Sequence, residues 1–221
     1  MGLGGIWQAT GCYSPLHGGR SQLSAEPLGV AGAMPYFLAV WLAIALAFTG
    51  FGGLHLYPAP FPPLVAASLV ALLLVGYASI SPFRSAVQAL PIEWLVGFHV
   101  TRFVGFYFLA LYEQGHLPYA FAVLGGWGDI LIAAAAAVLL SLNRRWRIPF
   151  RVWQVWNVLG LLDILFVVFT AARSGRVDPG SIAPLLQLPL GLLPTFVVPI
   201  ILFTHLLLLG RFGSARAARA D

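Results

Sequence analysis

Charge is the scarcest ingredient of this chain. Of 221 residues only 9% are Asp, Glu, Lys or Arg, against about 25% in an average soluble domain. A water-soluble globule of this length could not cover its surface with so few charges. An ordinary cytosolic enzyme and a disordered chain are therefore excluded. Lysine is absent altogether, so all 12 basic residues are arginine. One cysteine, Cys12, rules out an internal disulfide and any cysteine cage for a metal. No GxSxG, no phosphate-binding loop and no HExxH run occurs.

What is present is apolar sequence: 60% of residues are hydrophobic and the mean hydropathy is +0.89. The class that remains is an all-α, polytopic membrane protein. A spanning helix needs about 20 mostly apolar residues. Six segments meet that length, at 35–54, 63–81, 92–112, 118–142, 150–172 and 190–210. They predict a six-transmembrane-helix bundle over residues 34–211, after a Gly- and Ser-rich leader at 1–33 and before a basic tail at 212–221. The stretch 181–190, with Pro184 and Pro189 among apolar residues, reads as an interfacial or re-entrant segment. Trp94, Trp146 and Trp153 fall near helix ends, as an aromatic belt would place them.

The formal net charge of +5 does not point to nucleic acid, because the arginines sit in short connections between apolar runs. Arg84, then Arg144, Arg145, Arg147 and Arg151, then Arg211, Arg216 and Arg219 all fall on one side of a six-span chain, while of the opposite connections only 173–189 carries arginine, Arg173 and Arg176, partly offset by Asp178. The positive-inside rule makes that side cytoplasmic, with both termini inside.

The informative residues are ionisable or polar groups inside the apolar runs. A charge at the bilayer centre costs at least about 2.5–3.5 kcal/mol on insertion scales, so such groups face a partner or a cavity. They are His99 and Arg102 on the third span, Asp129 on the fourth, Asn157 and Asp163 on the fifth and His205 on the sixth. At about 1.5 Å of rise per residue they fall into two layers. His99, Asn157 and His205 lie in the cytoplasmic half; Arg102, Asp129 and Asp163 lie near the midplane. Asp163 is turned about 120° from Asn157 on an ideal helix, so both point inward only if their helix is enclosed on a wide front. Pro199 leaves the carbonyl of Thr195 without its helical donor and predicts a kink in the sixth span.

One arginine and two aspartates sum to minus one when all are ionised. A proton, a protonated histidine or a bound cation would each close that balance. The leading reading is thus a small membrane protein of proton- or cation-coupled transport, with His99, Arg102, Asp129, Asn157, Asp163 and His205 as its ligand- or proton-binding residues and no metal site. Two alternatives stay open. The polar groups can serve only as interhelical glue in a non-catalytic membrane subunit or assembly factor. Or His99 and His205 can be axial ligands of a haem in a membrane redox protein. Lipid is the expected surrounding. A bundle this small often needs a partner to enclose a pathway, which points to a homodimer or a partner membrane subunit.

The run from Leu95 to Asp129, with His99, Arg102, Gly105 and the Gly128–Asp129 pair, resembles a pattern in bacterial inner-membrane proteins. So does Leu193-Pro194-Thr195-Phe196-Val197-Val198-Pro199 followed by His205. The resemblance spans about residues 88–211. It implies a six-helix protein of the bacterial cytoplasmic membrane, and it carries no assigned activity.

Overall fold

The computed structural model describes residues 34–56, 61–146 and 148–217. The expected leader at 1–33, Cys12, Arg147 and Arg219 lie outside the described residues. Every regular element among those described is helical. Five helices are long and apolar enough to cross a membrane: Phe61–Ser79 (α2), Ile92–Glu113 (α4), Ala120–Asn143 (α5), Phe150–Val177 (α6) and Leu193–Phe212, the apolar part of α7. The first expected span, α1 at Met34–Gly50, is a shorter apolar helix of 17 residues. The last, expected to end at 210, stays helical to Ala217.

Three of these helices are locally irregular, and one of the irregular stretches carries two of the six polar residues. In α4 a 3₁₀ stretch, Phe98–Val104, separates α-helical Ile92–Gly97 from Gly105–Glu113. A 3₁₀ helix has three residues per turn, so side chains at i and i+3 eclipse. His99 and Arg102 therefore share one face more closely than an α-helix would allow. The wide turns Ala120–Gly125 and Leu193–Val197 open α5 and α7 with π geometry. The second precedes Pro199, where a missing amide would otherwise orphan Thr195. The indole of Trp41 on α1 donates to that Thr195 carbonyl at 3.0 Å. The broken ladder is thereby satisfied, and α1 is fastened to α7.

Between α2 and α4 the chain forms a short helix, α3 at Ser81–Ala89, in a stretch expected to be a loop. Pro82 at its first turn starts it, and Ala86 and Val87 face inward. Its C-terminal carbonyls are closed by Arg211, which donates to Val87, Gln88 and Leu90 at 2.6, 3.1 and 2.9 Å. After α6, a 3₁₀ helix at Pro179–Leu186 buries Ile182 and Leu185. Asp178 caps it by accepting from the amide of Gly180 at 3.0 Å.

The core runs along α4, α5, α6 and α7. At one end Phe108, Phe121, Ile164, Val167 and Ile201 pack together, joined by Ala66 of α2. At the other, Leu95, Trp156, Leu208 and Phe212 enclose Trp153. Trp153 is buried, unlike Trp94 and Trp146, which are exposed. It is a core residue and not part of an aromatic belt, because its helix turns it towards α4 and α7.

Candidate functional site

Arg102 falls at the middle of α4, and Asp163 at the middle of α6. Its side chain is 1% exposed, and each of its three guanidinium nitrogens donates once. Nε donates to Asp129 Oδ1 at 2.6 Å, Nη2 donates to Asp163 Oδ2, and Nη1 donates to the carbonyl of Gly160 at 3.0 Å. Three helices, α4, α5 and α6, are thus joined through one side chain. Arginine suits this role: its planar fork offers several donors in fixed directions, which an ammonium could not match.

Glycine makes the approach possible at two places. A Cβ at Gly128 would collide with the carboxylate of Asp163. A Cβ at Gly160 would stand 2.6 Å from Cε1 and 3.0 Å from Nε2 of His205. The bare backbone of α5 lets Asp163 reach the guanidinium although it lies off the Asn157 face. The bare backbone of α6 lets the His205 ring lie against the segment whose carbonyl receives Arg102.

The second layer is a pair of imidazoles. His99 and His205 are fully buried, with ring centres 4.2 Å apart. The Trp156 ring stands edge-on to His99 at 5.0 Å and 5.7 Å from His205. The hydrogen-bond network assigns both tautomers. Thr204 donates its hydroxyl to the Ile201 carbonyl at 2.9 Å, so that oxygen is left to accept from His99 Nε2 at 3.1 Å. Asn157 donates through Nδ2 to the His205 carbonyl at 3.1 Å. Its Oδ1 accepts from His205 Nδ1 at 2.8 Å. Each ring therefore donates once through that nitrogen. The other nitrogen of each, His99 Nδ1 and His205 Nε2, is buried without a hydrogen-bond partner among the described residues.

All six residues singled out in the sequence are thus brought together in two adjoining layers: Arg102 with Asp129 and Asp163, and His99 and Asn157 with His205. Thr204 and Trp156 complete the second layer and escaped the sequence reading. Thr204 carried one signal, a hydroxyl in an otherwise apolar run next to His205. Trp156 carried none that separates it from the other core aromatics.

The arrangement limits what can bind. Axial nitrogens sit about 2 Å from a metal, on opposite faces of a porphyrin. Imidazole centres 4.2 Å apart leave no room for a macrocycle between them, so the rings as placed do not fit a haem. Among the described residues no group of three or more His, Cys, Asp or Glu side chains is placed to hold a metal ion. An open cleft of about 810 Å³ lies between the α4–α5 connection and the Pro179–Leu186 segment, lined by His116, Asp178 and Gln187 among others. None of the six residues lines it. An apolar cavity of about 370 Å³ between α1, α3, α4 and α7 reaches Thr204 but not the rings behind it.

No match was found among curated proteins or among solved structures. Residues 60–212 match the family described as "Domain of unknown function (DUF8737)". That match takes in α2 to α7 and all six polar residues, and the chain belongs to this family.

Proposed function

We propose that this DUF8737 protein is a multi-pass protein of the bacterial cytoplasmic membrane, with six spans and both termini inside, that couples proton or cation binding in its interior to transport. The observation that supports the reading is the charge balance of the Arg102 cluster. One guanidinium contacts two carboxylates at membrane depth, so with all three ionised the cluster is one positive charge short. An uncompensated buried charge is strongly disfavoured, and a single proton or monovalent cation restores neutrality. The imidazoles alongside, each with a bare nitrogen, add acceptors for a passing proton. Six spans follow if α1, apolar throughout and tied to α7 by Trp41, crosses with the other five. Arg84, Arg144, Arg145, Arg151 and Arg211 then share one side, with Arg173 and Arg176 on the other.

Reconstitution into liposomes tests this. The wild-type chain should dissipate an imposed pH gradient, read by a trapped pH dye. Asp129→Asn, which keeps the shape and the acceptor for Arg102 Nε, should insert normally and lose that flux. Full flux in the variant would remove Asp129 from the mechanism.

A second reading, a non-catalytic subunit or assembly factor that uses the cluster for helix register, has its own support. Every arm of Arg102 is already bonded, and none of the six residues lines the open cleft. Replacing Arg102, Asp129 and Asp163 together by leucine should then leave the biological role intact, since apolar replacement of a whole buried ion group is often neutral. A folded triple variant without function rejects it.

A further inference from the structure

The members of the ionic cluster are not equally enclosed. The side chains of Arg102 and Asp129 are 1% and 4% exposed, whereas that of Asp163 is 17% exposed. The direction of the opening follows from the helix. One turn to either side of Asp163, Leu159 and Phe166 are exposed, and so is Leu162; Gly160, Ile164 and Val167 are buried. Asp163 therefore stands on the border between the inward stripe of α6 and its outward, wholly apolar stripe. Across the seam on α5, Trp127 and Leu131 are also exposed. The opening is at the middle of the span, among side chains that face hydrocarbon in a bilayer.

We infer that Asp163 is the carboxylate of the cluster that holds the exchangeable proton, and that a lateral opening exposes this carboxyl to the hydrocarbon of the bilayer. This rests on the proton-coupled reading above and narrows it to one oxygen atom pair. The groups that face Asp163 are few. Arg102 of α4 holds it directly, and Asp129 of α5 shares that guanidinium. Arg102 also holds the Gly160 carbonyl, against whose residue His205 of α7 is packed. Protonation of Asp163 turns it from an anion paired with Arg102 into a neutral carboxyl. It leaves Arg102 and Asp129 as a balanced pair. Asp129 cannot take this part without opening the bundle, because its carboxylate is sealed against the guanidinium. The bare His205 Nε2, beside Gly160, is the next acceptor inward.

Carbodiimides read this chemistry. A protonated carboxyl adds across one C=N bond: its oxygen bonds the central carbon, its proton goes to nitrogen, and an acyl shift gives a stable N-acylurea with no leaving group. Wild-type protein in liposomes, treated with lipid-soluble dicyclohexylcarbodiimide and mapped by mass spectrometry, should carry the adduct on Asp163 and none on Asp129. Labelling should fall as pH rises. A water-soluble carbodiimide should leave Asp163 unmodified. Asp163→Asn should lose the adduct and Asp163→Glu should retain it at the same position. An adduct on Asp129, equal labelling by the water-soluble reagent, or no adduct on Asp163 in folded protein would overturn the inference. Proton flux without an Asp163 adduct defeats this inference alone. An adduct without flux defeats the transport reading and leaves the lateral access of a protonated Asp163 standing.

Discussion

Replacing Arg102 by methionine removes three bonds at once and leaves two carboxylates and the Gly160 carbonyl facing an apolar gap. Breaking a buried ion pair by deleting one partner costs about 3–5 kcal/mol, because the other charge stays behind unpaired. An orphaned carbonyl adds about 1–3 kcal/mol. At neutral pH the variant should therefore lose at least about 3 kcal/mol of unfolding free energy, a large part of what a small protein has. The deficit has a direction in pH. It arises from ionised carboxylates, so lowering the pH protonates them and recovers much of the loss. Removing all three charges, as Arg102→Met with Asp129→Leu and Asp163→Leu, should leave a deficit of only about 1–3 kcal/mol, the cost of the unpaired carbonyl. Reversible unfolding in mixed micelles, followed by tryptophan fluorescence at two pH values, measures all of these. A single variant within about 1 kcal/mol of wild type at neutral pH, or a triple variant no better than the single, would refute the reasoning.

Two further perturbations probe the imidazole layer. Asn157→Leu removes the acceptor for His205 Nδ1 and the donor to the His205 carbonyl; it should cost about 1–3 kcal/mol, and nitrogen NMR of labelled histidine should show the His205 tautomer no longer fixed. Gly160→Ala places a methyl 2.6 Å from His205 Cε1; the ring must move, at about 1–3 kcal/mol for an overpacked core, and pH-gradient dissipation should fall with it, whereas unchanged stability would mean the ring is not seated there.

Much of this was legible because the membrane simplifies the argument. Where nearly every residue is apolar, six polar ones stand out, and their depths follow from helical rise alone. Rotation about the helix axis was harder. Asp163 looked misplaced on an ideal helix, and two facts hidden from the pattern resolve it: the reach of the Arg102 side chain, and Gly128 opposite, which leaves space for the carboxylate. The 3₁₀ stretch Phe98–Val104 was hidden too, since its residues fit an α-helix equally well and only packing selects the tighter turn. Pro199 announced a freed Thr195 carbonyl, but its donor, Trp41, lies 154 residues away in sequence, and no local rule predicts such a pair. The short helix Ser81–Ala89 passed for a loop because it is polar on average; its stability comes from Arg211, a distant residue that closes its end.

The central claim is that one guanidinium and two carboxylates share a dry interior site that closes its charge with a single proton. Infrared difference spectroscopy on protein in lipid, with carbon-13-labelled aspartate, observes this directly. As pH is lowered, among the label-shifted carboxylic acid C=O bands that grow in there should be one that is missing in Asp163→Asn and still present in Asp178→Asn, whose carboxylate caps the Pro179–Leu186 segment well away from the cluster. A folded protein in which no labelled carboxyl band grows in, or in which every such band survives unchanged in Asp163→Asn, would contradict it.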